Sequence, residues 1–156
     1  MYFLDRCQKK VILAIRKKYK MSNFRYSICE PANPKIIEQG KIDAAAIVTI
    51  FDTFPWKQYL EETERLKEVY FSPSIQFENL SNKNGITVSA IGKPDKYEFY
   101  IFYKRPKTKK TWFGLSSKLD HNYMSELWNQ NENQTTEILK ALADNNLSFL
   151  EEKFSR

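Results

Sequence analysis

Between Lys96 and Lys104 the chain alternates in a way that suits a β-strand. Successive side chains of a strand point to opposite faces, so Tyr97, Phe99, Ile101 and Tyr103 share one face. Lys96, Glu98, Tyr100, Phe102 and Lys104 share the other. Runs of the same kind surround it, giving four expected strands over 74–80, 85–91, 96–105 and 111–116. Asn82-Lys83-Asn84-Gly85 and Gly92-Lys93-Pro94-Asp95 are turn sequences, and 106–110 is expected to be the third turn. Links this short join antiparallel neighbours, which predicts a four-stranded antiparallel meander. Ile75, Phe77, Ile86 and Val88 complete the apolar face begun by Tyr97, Phe99 and Ile101, and that face is expected to be core.

Helical patterns stand on both sides of the meander. Residues 3–19 place Phe3, Leu4, Cys7, Val11, Ile12 and Ile15 on one side and Arg6, Lys9, Lys10, Arg16 and Lys17 on the other, an amphipathic helix. A short strand is expected near 24–29. Asn33-Pro34 starts a short helix that Gly40 ends. Residues 44–54 read as a helix capped by Asp43, with the β-branched run Ile47-Val48-Thr49-Ile50 leaving a strand as the rival. Pro55 opens a helix over 56–70. Asp120 caps a helix to about Trp128, and a polar break follows at 129–133. Ile138, Leu139 and Leu142 mark a further helix that Asn145-Asn146 ends, and Ser148 with Glu151 forms a capping box for the last. The expected fold class is α+β: one domain over 1–156, with N-terminal and C-terminal helices packed on one face of the meander sheet.

Composition narrows the chemistry. Four glycines, none in a G-x-G-x-x-G or G-x-x-x-x-G-K-[ST] run, exclude the usual phosphate-cradling loops. Two cysteines, Cys7 and Cys29, and one histidine, His121, are too few for a Cys/His zinc centre. No cofactor or metal is expected. Eleven Phe, nine Tyr and three Trp supply ample apolar area for a core, against disorder. The longest apolar run near the start, Val11 to Ile15, is far short of a signal core or a transmembrane segment. A cytoplasmic location with both thiols unpaired is expected.

The net charge of +6 is unevenly spread. Residues 1–20 hold seven basic groups and one acid, and residues 81–120 hold nine basic groups and three acids. Two features stand out as candidate binding sites. The first is the basic hairpin carrying Lys104, Arg105, Lys107, Lys109 and Lys110, which could grip an acidic protein or phosphates. Its plainer reading is a solvated turn whose lysines guard the sheet against edge pairing. The second is Tyr100 with Phe102 on the outer sheet face, which looks like a base-stacking platform. It carries no glycine-containing RNA-recognition signature, and Glu98 would repel phosphate. The helix over 3–19 could lie on an anionic membrane or simply pack on the core. Asp120-His121 is the one place where a base adjoins a carboxylate, yet neighbours on a helix do not face each other, so no catalytic dyad follows.

Phe54-Pro55-Trp56, Ser72-Pro73-Ser74-Ile75 and the tail Phe149-Leu150-Glu151-Glu152-Lys153-Phe154 resemble small bacterial proteins, some of them immunity proteins that neutralise polymorphic toxins. The resemblance implies a one-domain α+β protein that acts by contact, and it assigns no functional residue. The expected function is a non-enzymatic, intracellular protein-binding module, with an immunity-like inhibitor of a toxin as one form of it; the expected partner is another protein, and an acidic one would suit the basic hairpin. The alternative is a nucleic-acid-binding protein using the hairpin and the Tyr100/Phe102 face.

Overall fold

The computed structural model describes residues 23–111 and 116–155. The amphipathic segment 3–19, Cys7 and the larger part of the run 111–116 lie outside the described residues. Among the described residues a single antiparallel sheet holds six strands: β1 (Phe24–Cys29), β2 (Ile37–Ile42), β3 (Ser74–Asn79), β4 (Gly85–Lys93), β5 (Lys96–Thr111) and β6 (Ser116–Gln130). Their order is β2-β1-β3-β4-β5-β6. Four helices are described: α1 (Ala46–Thr53), α2 (Trp56–Arg65), α3 (Glu132–Ala143) and α4 (Leu147–Lys153).

The α+β class stands, and the four-stranded meander needs correcting to six strands. The last four strands do run as a meander, but β1 is inserted between β2 and β3. The short helix expected after Asn33-Pro34 is instead a turn leading into β2, with the Asn33 side chain accepting the Lys35 N–H at 2.9 Å. Gly40 does not end a helix. It lies opposite Tyr26 beside a register shift, at φ +104°, a conformation that only glycine adopts without strain. The free edge of β1 supplies pairing partners that outweigh local helix signals.

The second correction concerns residues 106–130. The expected turn at 106–110 is strand, and the expected helix from Asp120 to Trp128 is β6. Pro106 is tolerated because it sits in the register shift between Arg105 and Lys107, where the ladder skips a pairing. Strand β5 offers β6 a long partner, and sheet pairing overrides the helical propensity of Met124, Glu126 and Leu127.

The rival readings at 44–54 resolve as helix. The 56–70 helix ends five residues early at Arg65: Leu66 turns extended, and the Tyr70 N–H is drawn to the Pro31 carbonyl at 3.0 Å. The two turns over 82–85 and 92–95 form as expected. Helix α3 begins at a capping box between Asn131 and Gln134, inside the stretch expected to be a polar break. Helix α4 is capped by Asn146, whose side chain accepts the Phe149 N–H, so Ser148 and Glu151 form no box.

The core lies where the alternation predicts. Ile75, Phe77, Ile86, Val88, Phe99, Ile101 and Tyr103 are buried on one face, with Tyr97 half-buried at its margin. Cross-strand register aligns them in rows: Ile75, Val88 and Ile101; then Phe77, Ile86 and Tyr103. The helices cover this face. Phe51 of α1 and Trp56 of α2 each bring a ring centroid within 5.1 Å of Phe99. Ile138, Leu139 and Leu142 of α3 are fully buried against the same cluster. Among the described residues no helix is long and apolar enough to cross a membrane.

Candidate functional site

Strand β4 pairs with β5 as far as Gly85 opposite Lys104. Beyond that point β5 keeps, among the described residues, only β6 as a neighbour. Residues 105–111 and 116–123 therefore form a two-stranded arm that runs past the sheet body for about 23 Å, at roughly 3.3 Å per residue. The arm carries five cationic side chains, Arg105, Lys107, Lys109, Lys110 and Lys118, against one carboxylate, Asp120.

The cations do not all do the same thing. Arg105 has the parity of Phe99, Ile101 and Tyr103, and only 2% of it is exposed. Its guanidinium grips Glu151 of α4 with two nitrogens, Nε to Oε1 and Nη2 to Oε2 (the latter at 3.0 Å). Nη1 donates to Ser125 Oγ at 3.0 Å. The guanidinium also lies over the Tyr103 ring, 4.3 Å from its centroid. Arg105 thus fastens α4 to the root of the arm. Lys107 reaches Glu151 Oε2 at 3.0 Å. The Arg105 hydrogen bonds, with Lys107 adding to them, hold the Glu151 carboxyl below its ordinary range.

Farther out, Lys109 pairs with Asp120 Oδ2 at 2.8 Å. That bond, with the Asn122 N–H donating to Asp120 Oδ1 at 3.0 Å, holds the Asp120 carboxyl low as well. Tyr123 stands among these cations: Arg105, Lys107 and Lys109 lie 4.7–4.9 Å from its ring centroid. Lys110 and Lys118 make no ion pair with any described carboxylate. A hollow of about 460 Å³ opens here between Lys109, Lys118, Leu119 and the Asp120-His121-Asn122 bulge. Asp120 is turned to Lys109, so it does not orient His121.

Lys104 stands on the opposite face. Together with Arg25 and Lys83 it surrounds the buried Glu78, at 3.8, 3.0 and 3.7 Å respectively. Tyr100 and Phe102 share that outer face and are half-buried. Tyr100 meets Trp128 edge-on, with centroids 4.2 Å apart, and Phe102 is paired across the strands with Glu126. The candidate residues named from sequence therefore fall into two groups on opposite faces. Lys107 and Lys109 join Arg105 on the helix side, while Lys104, Tyr100 and Phe102 lie on the outer side. Lys110 shares the outer parity near the end of the arm.

Sequence reasoning missed Lys118, Tyr123, Met124, Trp128 and Glu151. One signal was present: Arg105, Lys107 and Lys109 are spaced by two, which is strand spacing rather than turn spacing. Glu151 had none, since it comes from an element 46 residues away. Compared with family models, with curated proteins and with solved structures, the chain matches none.

Proposed function

We propose that this chain is a non-enzymatic cytoplasmic binding module that holds an acidic protein on its cationic arm. The observation that carries the reading is the contrast along the arm. Arg105 and Lys107 are engaged by Glu151, whereas Lys110 and Lys118, farther out, are exposed and meet no described carboxylate. Like charges held on a projecting ribbon repel one another, and an acidic surface relieves that repulsion while steering association. The resemblance to immunity-like proteins supports the same reading, because a protein that neutralises a toxin by covering it acts through contact alone.

The nucleic-acid alternative needs the outer sheet face as a stacking platform, whereas an acidic protein held on the arm does not, and Tyr100 is already packed against Trp128. Tyr100 and Phe102 stand between Glu98 and Glu126, which share their parity and would repel a phosphate backbone.

The test is co-purification of the chain from its native cells at low salt, followed by a salt gradient. An acidic protein should elute as salt rises and should be lost from a K110E/K118E variant. Release by nuclease instead of salt, or retention of the protein by the variant, would overturn the reading.

A further inference from the structure

Strand β6 is an edge: it pairs with β5 on one side and with no described strand on the other. Exposed edges are ordinarily short or guarded, since their free N–H and C=O groups invite another strand. Here the edge is long; bulges interrupt it at His121-Asn122 and at Trp128-Asn129, and apolar groups line it. The irregularity between Asp120 and Tyr123 shifts the parity of β6, so that Leu119, Met124 and Trp128 all fall on the outer face. They are 47%, 56% and 52% exposed. On the other face a groove of about 390 Å³ runs between β6 and the helices, with Leu127 and Phe149 as its apolar lining and Gln130 and Gln134 among its polar groups.

We infer that β6 takes up an extended segment of the acidic partner as a seventh strand. This inference rests on the function proposed above and adds the mode of binding and the chemistry of the segment. Backbone pairing along the edge supplies affinity, and alternate side chains find different surroundings. Beside Tyr123–Trp128 the segment's apolar side chains enter the Leu127/Phe149 groove on one face and lie against Met124 and Trp128 on the other. Beside residues 116–120 its side chains come near Lys118 and Lys110, which meet no described carboxylate, so that half of the segment is acidic. An acidic half followed by a β-branched, apolar half is the occupant that fits both the charge and the groove.

The probe is a ten-residue peptide with a Glu-Ser-Glu-Ser-Glu half and a Val-Thr-Val-Thr-Val half. Its control carries proline in place of both threonines, which keeps the charge but removes ladder donors. The full chain, isotopically labelled, is titrated with each, and amide exchange along β6 is followed. The parent peptide is expected to bind, to slow exchange within Ser116–Gln130 at least about tenfold, and to outbind the control by about tenfold. Trp128→Ser, at an exposed position, should weaken the parent and not the control.

Three results would overturn the inference. The control binds as well as the parent: the arm then works by charge alone and the proposed function stands. Exchange along β6 is already slowed without peptide, in proportion to chain concentration: the edge then holds a second copy. Neither peptide binds: the strand-addition mode fails, and the salt-gradient experiment with the native partner decides separately whether the acidic-protein reading survives.

Discussion

Strand β5 passes through two environments without changing its alternation. In the sheet body its helix-side positions are Phe99, Ile101 and Tyr103, all buried under α1 to α4. One step on, the same parity places Arg105, Lys107 and Lys109 on the arm. The body is held by removal of apolar surface from water, at about 25 cal/mol per Å². Among the described residues the arm has little apolar burial, and it is held by the β5–β6 ladder, by Glu151 and Asp120 pairing, and by the Tyr123 ring. The difference teaches that strand periodicity specifies which side chains share a face, and that the layer above that face decides whether they are apolar or cationic.

Four variants test that contrast. Phe99→Ala should cost about 3–5 kcal/mol of stability in denaturant unfolding, because the ring is 3% exposed and packed between Phe51 and Trp56. A cost below about 1 kcal/mol would show that the body is not the stable region.

Glu151→Gln is expected to cost about 1–3 kcal/mol, by leaving the buried Arg105 without its carboxylate. This is below the figure for a fully buried pair, since Glu151 is partly in water. The same pair sets a pH dependence. The folded state holds the Glu151 carboxyl below its ordinary value of 4.5, so its contribution is complete above that pH and is lost as pH falls through the depressed value. Acid titration of unfolding free energy should therefore be less steep below pH 4.5 in Glu151→Gln than in the parent chain.

Tyr123→Leu removes the ring shared by three cations and should cost roughly 0.5–1 kcal/mol, read as faster amide exchange in the arm with the body unaffected. The smallest effect belongs to K110E/K118E: stability should change by less than about 0.5 kcal/mol, because neither lysine pairs with a described carboxylate. A large loss of stability there would mean that the outer arm is part of the folding unit and not a free surface.

The body was largely legible from the amino acids. Its core face, its two turns and the helices around Trp56 and Leu139 all follow from periodicity and turn chemistry. The arm was legible only in composition. Lys104 to Lys110 reads as a basic cluster in any conformation, and Pro106 beside a run of lysines looks like a turn. The turn before Gly85 marks where β4 begins, but nothing local says that β5 continues past Lys104, its partner there, or that Asp120-His121-Asn122 forms a bulge instead of a helix cap. The candidate site was visible as charge but not as shape.

By itself the amino-acid order determined the α+β class, the apolar face of β3 to β5, and the excess of positive charge near Lys107. Those properties depend on neighbours one to four residues away, which a sequence displays directly. Tertiary structure decided that residues 37–42 and 116–130 are strands, that Arg105 is buried, and that Tyr100 and Phe102 lie beside Trp128 and Glu126. A strand needs the unpaired N–H and C=O groups of a partner, and a buried guanidinium needs a carboxylate. Both arrive from elsewhere in the chain: β1 offers its edge to β2, β5 offers its edge to β6, and α4 brings Glu151 to Arg105. The physical reason is that hydrogen-bond partners and solvent exposure are set by three-dimensional proximity, which local spacing does not encode.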